Sequence, residues 1–267
     1  MSKPKIIISE LGKEFITKRQ RIVAIRNVNM EFDEGGFVCI VGPSGCGKST
    51  IIRMIDDIIK PTSGKIIVDG TEYDHTKPLS RKIIQKMGFI FQIPNLFPWL
   101  TIRKNVLFPL KIMGIKGKEY EDYADGLIDM IGMTEYKNAY PKEISGGMTQ
   151  RVGVIRAMVH KPEILMMDEP FGALDEANRL QMNLEIIKIW KENKMTVVFI
   201  THNIEEAVLL GQKIYVMSSS PGRVIDCVSV DFTTEERNAD LVQSEKFKKY
   251  CTKLTGLIGD VDLSNTK

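Results

Sequence analysis

The chain has 267 residues, 43% hydrophobic and 27% charged, the balance of a folded globular protein and not of a disordered or fibrous one. Its 37 Lys and Arg stand against 34 Asp and Glu, and a formal charge of +3 with interleaved signs gives no reason to expect a nucleic-acid partner. No stretch of about 18 apolar residues occurs, so no membrane-spanning helix is expected, and no apolar region of a secretory signal follows Met1-Ser2-Lys3-Pro4-Lys5.

Short strands are expected first, at Ile6–Leu11 and, after the polar turn Thr17–Arg21, at Val23–Val28. Asp33-Glu34-Gly35-Gly36 reads as a turn. Phe37–Val41 is continuously apolar, the pattern of a strand covered on both faces. It runs into Gly42–Ser49 and then an apolar-spaced helix over Thr50–Ile59. Strands follow at Lys65–Val68 and Met87–Phe91. Between about Gln92 and Val159 the apolar period moves towards 3.6, as at Tyr120, Tyr123, Leu127, Ile128 and Ile131, which predicts a helical lobe apart from the sheet. Strands resume at Ile164–Asp168, Val197–Thr201 and Lys213–Met217, with a helix through Leu180, Leu184, Ile187 and Trp190. Such alternation predicts an α/β protein with a mostly parallel sheet and covering helices. One more helix is expected over Thr234–Tyr250 and a loose end over Asp260–Lys267. The four cysteines, Cys39, Cys46, Cys227 and Cys251, have neither metal-ligand nor redox spacing, so free thiols in a reducing cytosol are expected. Lys3, Lys5 and Lys18–Arg21 make a basic stretch whose plain reading is a solvated surface, with anionic lipid as the alternative.

Gly42-Pro43-Ser44-Gly45-Cys46-Gly47-Lys48-Ser49 is a complete phosphate-binding pattern, set between a strand and a helix as the chemistry requires. Glycines let backbone N–H groups converge on phosphate oxygens, and the helix N-terminus adds a favourable dipole. Lys48 is expected to reach the β- and γ-phosphates and Ser49 to ligate Mg²⁺. The competing reading is a glycine-rich structural turn. The apolar Ile164–Met167 followed by Asp168-Glu169 supplies the carboxylates such a site needs. Asp168 would hold Mg²⁺ through water and Glu169 would orient or deprotonate the attacking water; a strand simply leaving the core is the bland alternative. His202, ending the next strand at the same edge, is a candidate γ-phosphate contact. Ser145-Gly146-Gly147 opens a further helix with a capping serine and exposed N–H groups, a second anion-binding end. Residue types alone leave open whether it meets the first site within one chain or across a dimer.

With these residues laid out, the chain resembles the ATP-binding subunit of ABC transporters over essentially its full length. Gly42–Ser49 matches Walker A, Ile164–Glu169 Walker B, Ser145-Gly146-Gly147 the family signature, Gln92 the Q-loop, Ala173-Leu174-Asp175 the D-loop and His202 the switch histidine. Phe97-Pro98-Trp99-Leu100-Thr101, Pro170–Asp175 and Ser220-Pro221-Gly222-Arg223 are similar to the nitrate, sulfonate and taurine importers, whose members also take up some vitamin precursors. The resemblance implies a P-loop nucleoside triphosphatase core over 1–92 and 160–233 with a mixed sheet and a small antiparallel β region. It also implies a helical lobe over 93–159 and a C-terminal helix and tail over 234–267, all in one nucleotide-binding domain. It implies an ATPase using ATP and Mg²⁺, with two copies stacked head to tail so that Ser145, Gly146 and Gly147 of one meet the nucleotide of the other. ATP contacts would run from Gly42 to Thr50, with Asp175 added at the D-loop. Gln92 joins Lys48, Glu169 and His202 in catalysis and joins Ser49 and Asp168 at the metal. Phe15 is the implied adenine-stacking aromatic, with a plain core residue as the alternative. Leu96, Phe97 and Trp99 would line the groove for a membrane-spanning permease, which predicts an uncovered apolar patch; lobe core is the alternative.

The implied setting is the cytoplasmic face of the membrane, with an extracytoplasmic solute-binding protein as an indirect partner. The rival reading is a soluble ATPase of the same type serving iron–sulfur assembly or a similar task. Departures from the family pattern are Ile144 for Leu at the signature, Asn203 for Asp after the switch histidine, Ile155 before Arg156, and Leu210-Gly211-Gln212-Lys213 without its usual acid–base pair. None touches an expected phosphate or magnesium contact, so an active ATPase is expected.

Overall fold

Five parallel strands carry the site, and burial explains them. In the computed structural model, which describes residues 3–17, 20–172 and 174–264, β3 (Phe37–Val41), β7 (Ile164–Asp168) and β8 (Thr196–Ile200) are buried at every position. They lie inside a six-stranded sheet of order β10-β9-β3-β8-β7-β6, where β6 is Met87–Ile90, β9 Lys213–Met217 and β10 Val224–Ser229. All neighbours pair in parallel except β10, which closes the edge antiparallel to β9. Alternate residues of one strand feed two different cores. Phe37, Cys39 and Val41 face a cluster with Phe199, Leu165 and the helices of one layer, while Val38 and Ile40 face Val198, Met166, Ile51 and Ile52. A continuous apolar run is what a strand with helices on both faces requires.

The second sheet is antiparallel, order β2-β1-β4-β5, built from β1 (Pro4–Ile16), β2 (Arg21–Asp33), β4 (Ser63–Val68) and β5 (Thr71–Glu72). β1 and β2 are longer than periodicity predicts because their outer ends pair with each other, as at Phe15 opposite Ile22. Lys5 does not join a basic surface. It is buried, 2.6 Å from Asp69 and bonded to Glu163, which corrects the expectation of a lipid- or solvent-facing lysine. Lys18 and Arg19 lie outside the described residues.

The helices are α1 (Lys48–Ile55), α2 (Arg81–Ile84), α3 (Ile102–Met113), α4 (Lys118–Met130), α5 (Gly146–Met158), α6 (Glu176–Asn193), α7 (Ile204–Leu210) and α8 (Glu245–Ser264). Between β6 and β7 the chain has α3, α4 and α5 and no strand among the described residues, with Ile102, Val106, Ile128, Val152 and Ile155 in their common core. α1 starts two residues before the expected Thr50 and stops at Ile55, because Asp57 adopts a left-handed conformation (φ 59°) that ends the helical path. The tail also differs from expectation. Asn238 accepts from Asp240 and Leu241 N–H and starts a short 3₁₀ turn, and Ser244 accepts from Phe247 N–H and begins α8 afresh. These two capping residues split the single helix expected over 234–250. The backbone stays helical through Ser264, so the loose end expected from Asp260 does not begin there; 265–267 lie outside the described residues. Arg237 is buried and donates to the carbonyls of Val208, Leu209 and Gly211, fastening the tail to the C-terminal end of α7. Burial holds its guanidinium down at about 10.

Candidate nucleotide site

Parallel strands bring all their C-terminal ends to one edge of the sheet, and the functional residues leave from those ends. Gly42 follows β3, Gln92 lies two residues beyond β6, Asp168 ends β7 with Glu169 next, and His202 lies two residues beyond β8. The sheet therefore assembles residues that are up to 160 positions apart in sequence.

The phosphate loop is held open by its glycines. Gly47 caps α1 at φ 96°, and a Cβ there would sit 2.4 Å from Ile25 Cδ1 on β2. Behind the loop, a Cβ on Gly222 would fall within 2.0 Å of the Cys46 carbonyl, so the Ser220–Arg223 turn supports the loop by direct backbone packing. Lys48 Nζ donates to the carbonyls of Gly42 (2.8 Å) and Pro43 (2.9 Å), spanning the loop from within. Cys46 is buried and Thr50 half-buried, while Ser44 and Gly45 are exposed at the loop crest. Burial raises the Cys46 thiol, so it is no nucleophile.

Two short-range clusters form beside the loop. In the first, Ser49 Oγ donates to Asp168 Oδ1 at 2.6 Å, and Arg53 on the next turn of α1 lies 3.4 Å from Asp168 Oδ2. In the second, Glu169 Oε2 accepts from Gln92 Nε2 at 3.4 Å and lies 3.1 Å from His202 Nδ1. The metal and catalytic candidates thus separate into neighbouring carboxylates, and Gln92 partners Glu169 instead of the Ser49–Asp168 pair. Glu169 holds its backbone at φ 46°, a conformation a non-glycine residue adopts at a cost of order 1 kcal/mol or more and that concentrates at working sites.

Serine and carboxylate oxygens at hydrogen-bond distance suit Mg²⁺, which takes one or two protein oxygens and fills the rest of its octahedron with water and phosphate. Among the described residues no group of three or more His, Cys, Asp or Glu could hold a metal by itself, so the donor set fits a metal shared with a nucleotide better than a closed protein cage.

No hydrogen bond recorded for the signature residues reaches either cluster. Ser145 caps α5, accepting from Met148 N–H at 3.3 Å. A Cβ on Gly146 would meet nothing within 4 Å, and one on Gly147 would meet Leu174 of the D-loop at 3.4 Å. Asp175 caps α6, accepting from Asn178 N–H and Nδ2, bonds that hold its carboxyl below the usual range. Ala173 lies outside the described residues. Asn203 does the capping work expected of an aspartate, accepting from Glu206 N–H at 3.1 Å.

Phe15 sits at the exposed end of β1 with 39% of its surface open and Lys13 Nζ 5.1 Å above its ring, so it is not a core residue. The Leu96–Trp99 segment divides between the two readings. Leu96 packs against the lobe core and Phe97 stacks 4.4 Å from Phe108 of α3, both half-buried, while Trp99 is 70% exposed and nearby Ile93 68%.

A residue the sequence reading missed is Gln150, buried on α5. Its amide donates to the Pro170 carbonyl and, at 3.4 Å, to the Gln92 carbonyl, tying the signature helix to both loops around Glu169. A glutamine on the inward face of a helix with Val152, Val154 and Ile155 was the available signal. Thr201, Asn183 and Glu206 form a second buried polar group under the switch histidine, and burial raises the Glu206 carboxyl.

The model of the ABC transporter family matches residues 25–172. The chain belongs to that family. It is an ATP-binding, ATP-hydrolysing ABC cassette, and among relatives it is 40% identical to a nitrate import ATP-binding protein of Synechocystis, over 97% of both chains. It is 39% identical to an aliphatic sulfonates import ATP-binding protein of Bacillus cereus, over 82% of this chain and 83% of that one. Among solved structures, a dimeric ATP-binding cassette in a post-hydrolysis state with ADP and phosphate superposes with a TM-score of 0.75 at 32% identity. The match covers 85% of this chain and all of that one. The cassette powers import in general terms; no helix of the described residues is long and apolar enough to cross a membrane.

Proposed function

We propose that this cassette drives uptake of a small anion, a sulfonate, taurine, nitrate or a similar solute or a vitamin precursor, as two head-to-tail copies docked on a membrane permease. The observation that carries the reading is the split of the site. One edge gathers Lys48, Ser49, Asp168, Glu169, Gln92 and His202, while Ser145 bonds only within its own helix turn among its recorded contacts and Gly146 faces open space. A complete site then needs the signature of a second copy.

In this reading Lys48 leaves its two loop carbonyls for the β- and γ-phosphate oxygens, which accept its donors in their place. Ser49 and Asp168 would hold Mg²⁺, which when bound would supply charge neutralisation at the phosphates. Glu169 Oε2 accepts the proton of the attacking water, and Gln92 and His202, already directed at that oxygen, orient it and the γ-phosphate. Phe15 stacks on adenine at the mouth of the site. Ser145, Gly146 and Gly147 donate to the γ-phosphate of the partner copy's nucleotide, and Asp175 sets the D-loop between the two sites. Leu96, Phe97 and Trp99 meet the permease, which places the chain at the cytoplasmic face of the membrane with an extracytoplasmic binding protein beyond. The core over 1–92 and 160–233, the lobe over 93–159 and the tail over 234–267 serve as parts of one nucleotide-binding domain.

Mixing two inactive variants tests the split. Lys48→Ala disables one half-site and Ser145→Arg the other. A mixed dimer contains one site with both halves intact, so the mixture should hydrolyse ATP well above either variant alone. No recovery, with both proteins folded and dimerising, would mean that each chain builds its site by itself.

A further inference from the structure

α5 does more than present the signature. Three residues on one of its faces, at steps of three, grip the segment that follows β6. Gln150 donates to the Gln92 carbonyl. Gly153 lets the chain approach so closely that a Cβ there would stand 3.0 Å from Pro94 Cβ. Arg156 donates to the carbonyls of Pro94 and, at 3.0 Å, Asn95. Asn95 has φ 47°, a left-handed conformation that turns the two carbonyls flanking it to one side, where a single guanidinium can take both. Arg156 is half-buried, and burial lowers its guanidinium below the ordinary value. Its recorded partners are carbonyl dipoles and not carboxylates. That geometry spends a charged, planar donor on the path of the backbone, where a lysine would offer a point charge without the fork.

We propose that Arg156, with Gln150 and Gly153, is a positioning residue that locks residues 92–95 to the signature helix, so that the apolar face of Ile93 and Trp99 moves with the signature as one body. The inference rests on the reading above that this face meets the permease and that the signature engages nucleotide. It adds the link between them: nucleotide captured at Ser145 and Gly147 shifts α5, and the fork of Arg156 carries the shift to the docking face. No bond to nucleotide or to reacting atoms is assigned to Arg156.

The two tryptophans make the test direct. Trp99 is in the docking segment, and Trp190 is buried with its indole N–H on the Gly35 carbonyl. In a full-length Trp190→Phe, Glu169→Gln chain, Trp99 becomes the sole tryptophan and ATP is bound without turnover. Acrylamide quenching of Trp99 should change when Mg-ATP is added. Arg156→Met in that background should keep ATP affinity within about twofold but cut the ATP-linked change by about twofold or more. Arg156→Lys should fall between. Gly153→Ala, which removes no hydrogen-bonding group but crowds Pro94, should also weaken the response, and guards against a Met variant that fails to fold. An unchanged response in both Arg156→Met and Gly153→Ala overturns the lock, as does the absence of any ATP response in the parent. The docking reading is judged separately, by whether Trp99→Ala in the otherwise native chain loses co-purification with membranes of its own cells. Retention there sinks the docking reading and leaves the quenching result to decide the lock.

Discussion

The sheet edge and the signature lobe handle the same ligand chemistry with opposite local designs. At the edge, nearly every functional side chain already has a partner: Ser49 with Asp168, Gln92 and His202 with Glu169, Lys48 with its own loop. Asp168 is only 2% exposed, and the strands beneath it are buried throughout. At the lobe, Gly146 faces open space, Gly147 lies beside Leu174, and Ser145 bonds only within its own helix turn among its recorded contacts. A pre-assembled edge suits charge stabilisation, which loses strength if groups must reorganise during reaction. An open helix N-terminus suits reversible capture of an anion that another molecule brings. In the proposed reading, the contrast stores catalytic geometry in one part of the chain and control over its completion in the other.

The largest expected effect breaks the edge itself. Glu169→Gln should reduce kcat by about 10²–10⁴-fold and leave ATP binding in place, checked by phosphate release and nucleotide titration side by side. Normal turnover would remove Glu169 from the role of base. Ser145→Ala should sharpen the contrast, since loss of a capping and donor group at the lobe should lower turnover by about tenfold with little change in the ATP affinity of a single chain. If affinity falls as far as turnover, the two regions do not divide the work as described.

A third prediction concerns stability behind the phosphate loop. Asp56 ends α1, and burial, reinforced by Asp57, pushes its carboxyl up to about 7. The folded chain therefore keeps this proton between about pH 4 and 7 whereas the unfolded chain releases it. The contribution to stability is full below about pH 4 and lost as pH rises through 7. Asp56→Asn should stabilise the protein at pH 8 by on the order of 2–4 kcal/mol and much less at pH 4.5, measured by denaturant melts. An equal gain at both values would show that the carboxyl is not the cause. The smallest effect is expected at the mouth: Phe15→Ala should raise KM for ATP by roughly three- to tenfold at unchanged kcat, if a stacking contact of about 1 kcal/mol is lost.

Much of this was legible in the residues. The phosphate loop, the paired acids after an apolar strand and the capped glycines each declare themselves because the chemistry demands those residue types at adjacent positions. The strand cores were equally plain, since burial on both faces leaves β3 wholly apolar and only Thr196, at the start of β8, polar. Other features were hidden because their partners are remote. Gln150 and Arg156 look like ordinary polar positions on a helix until the carbonyls of 92, 94, 95 and 170 are placed beside them. Lys5 reads as a surface cation until Asp69 and Glu163 arrive to bury it. Asn238 and Ser244 broke the expected tail helix through capping bonds that a helical period does not register.

By itself the sequence determined the chemical vocabulary, in residue patterns that read as a phosphate cradle, a base, a metal-binding pair and a second anion-binding helix end, all encoded over a few consecutive positions. Which of these meet was decided only by the tertiary structure. Parallel pairing carries the ends of β3, β6, β7 and β8 to one edge, so Gln92 and His202 converge on Glu169, while the lobe directs the signature elsewhere. Local motifs depend on neighbours along the chain, and convergence depends on strand order, which no single segment contains.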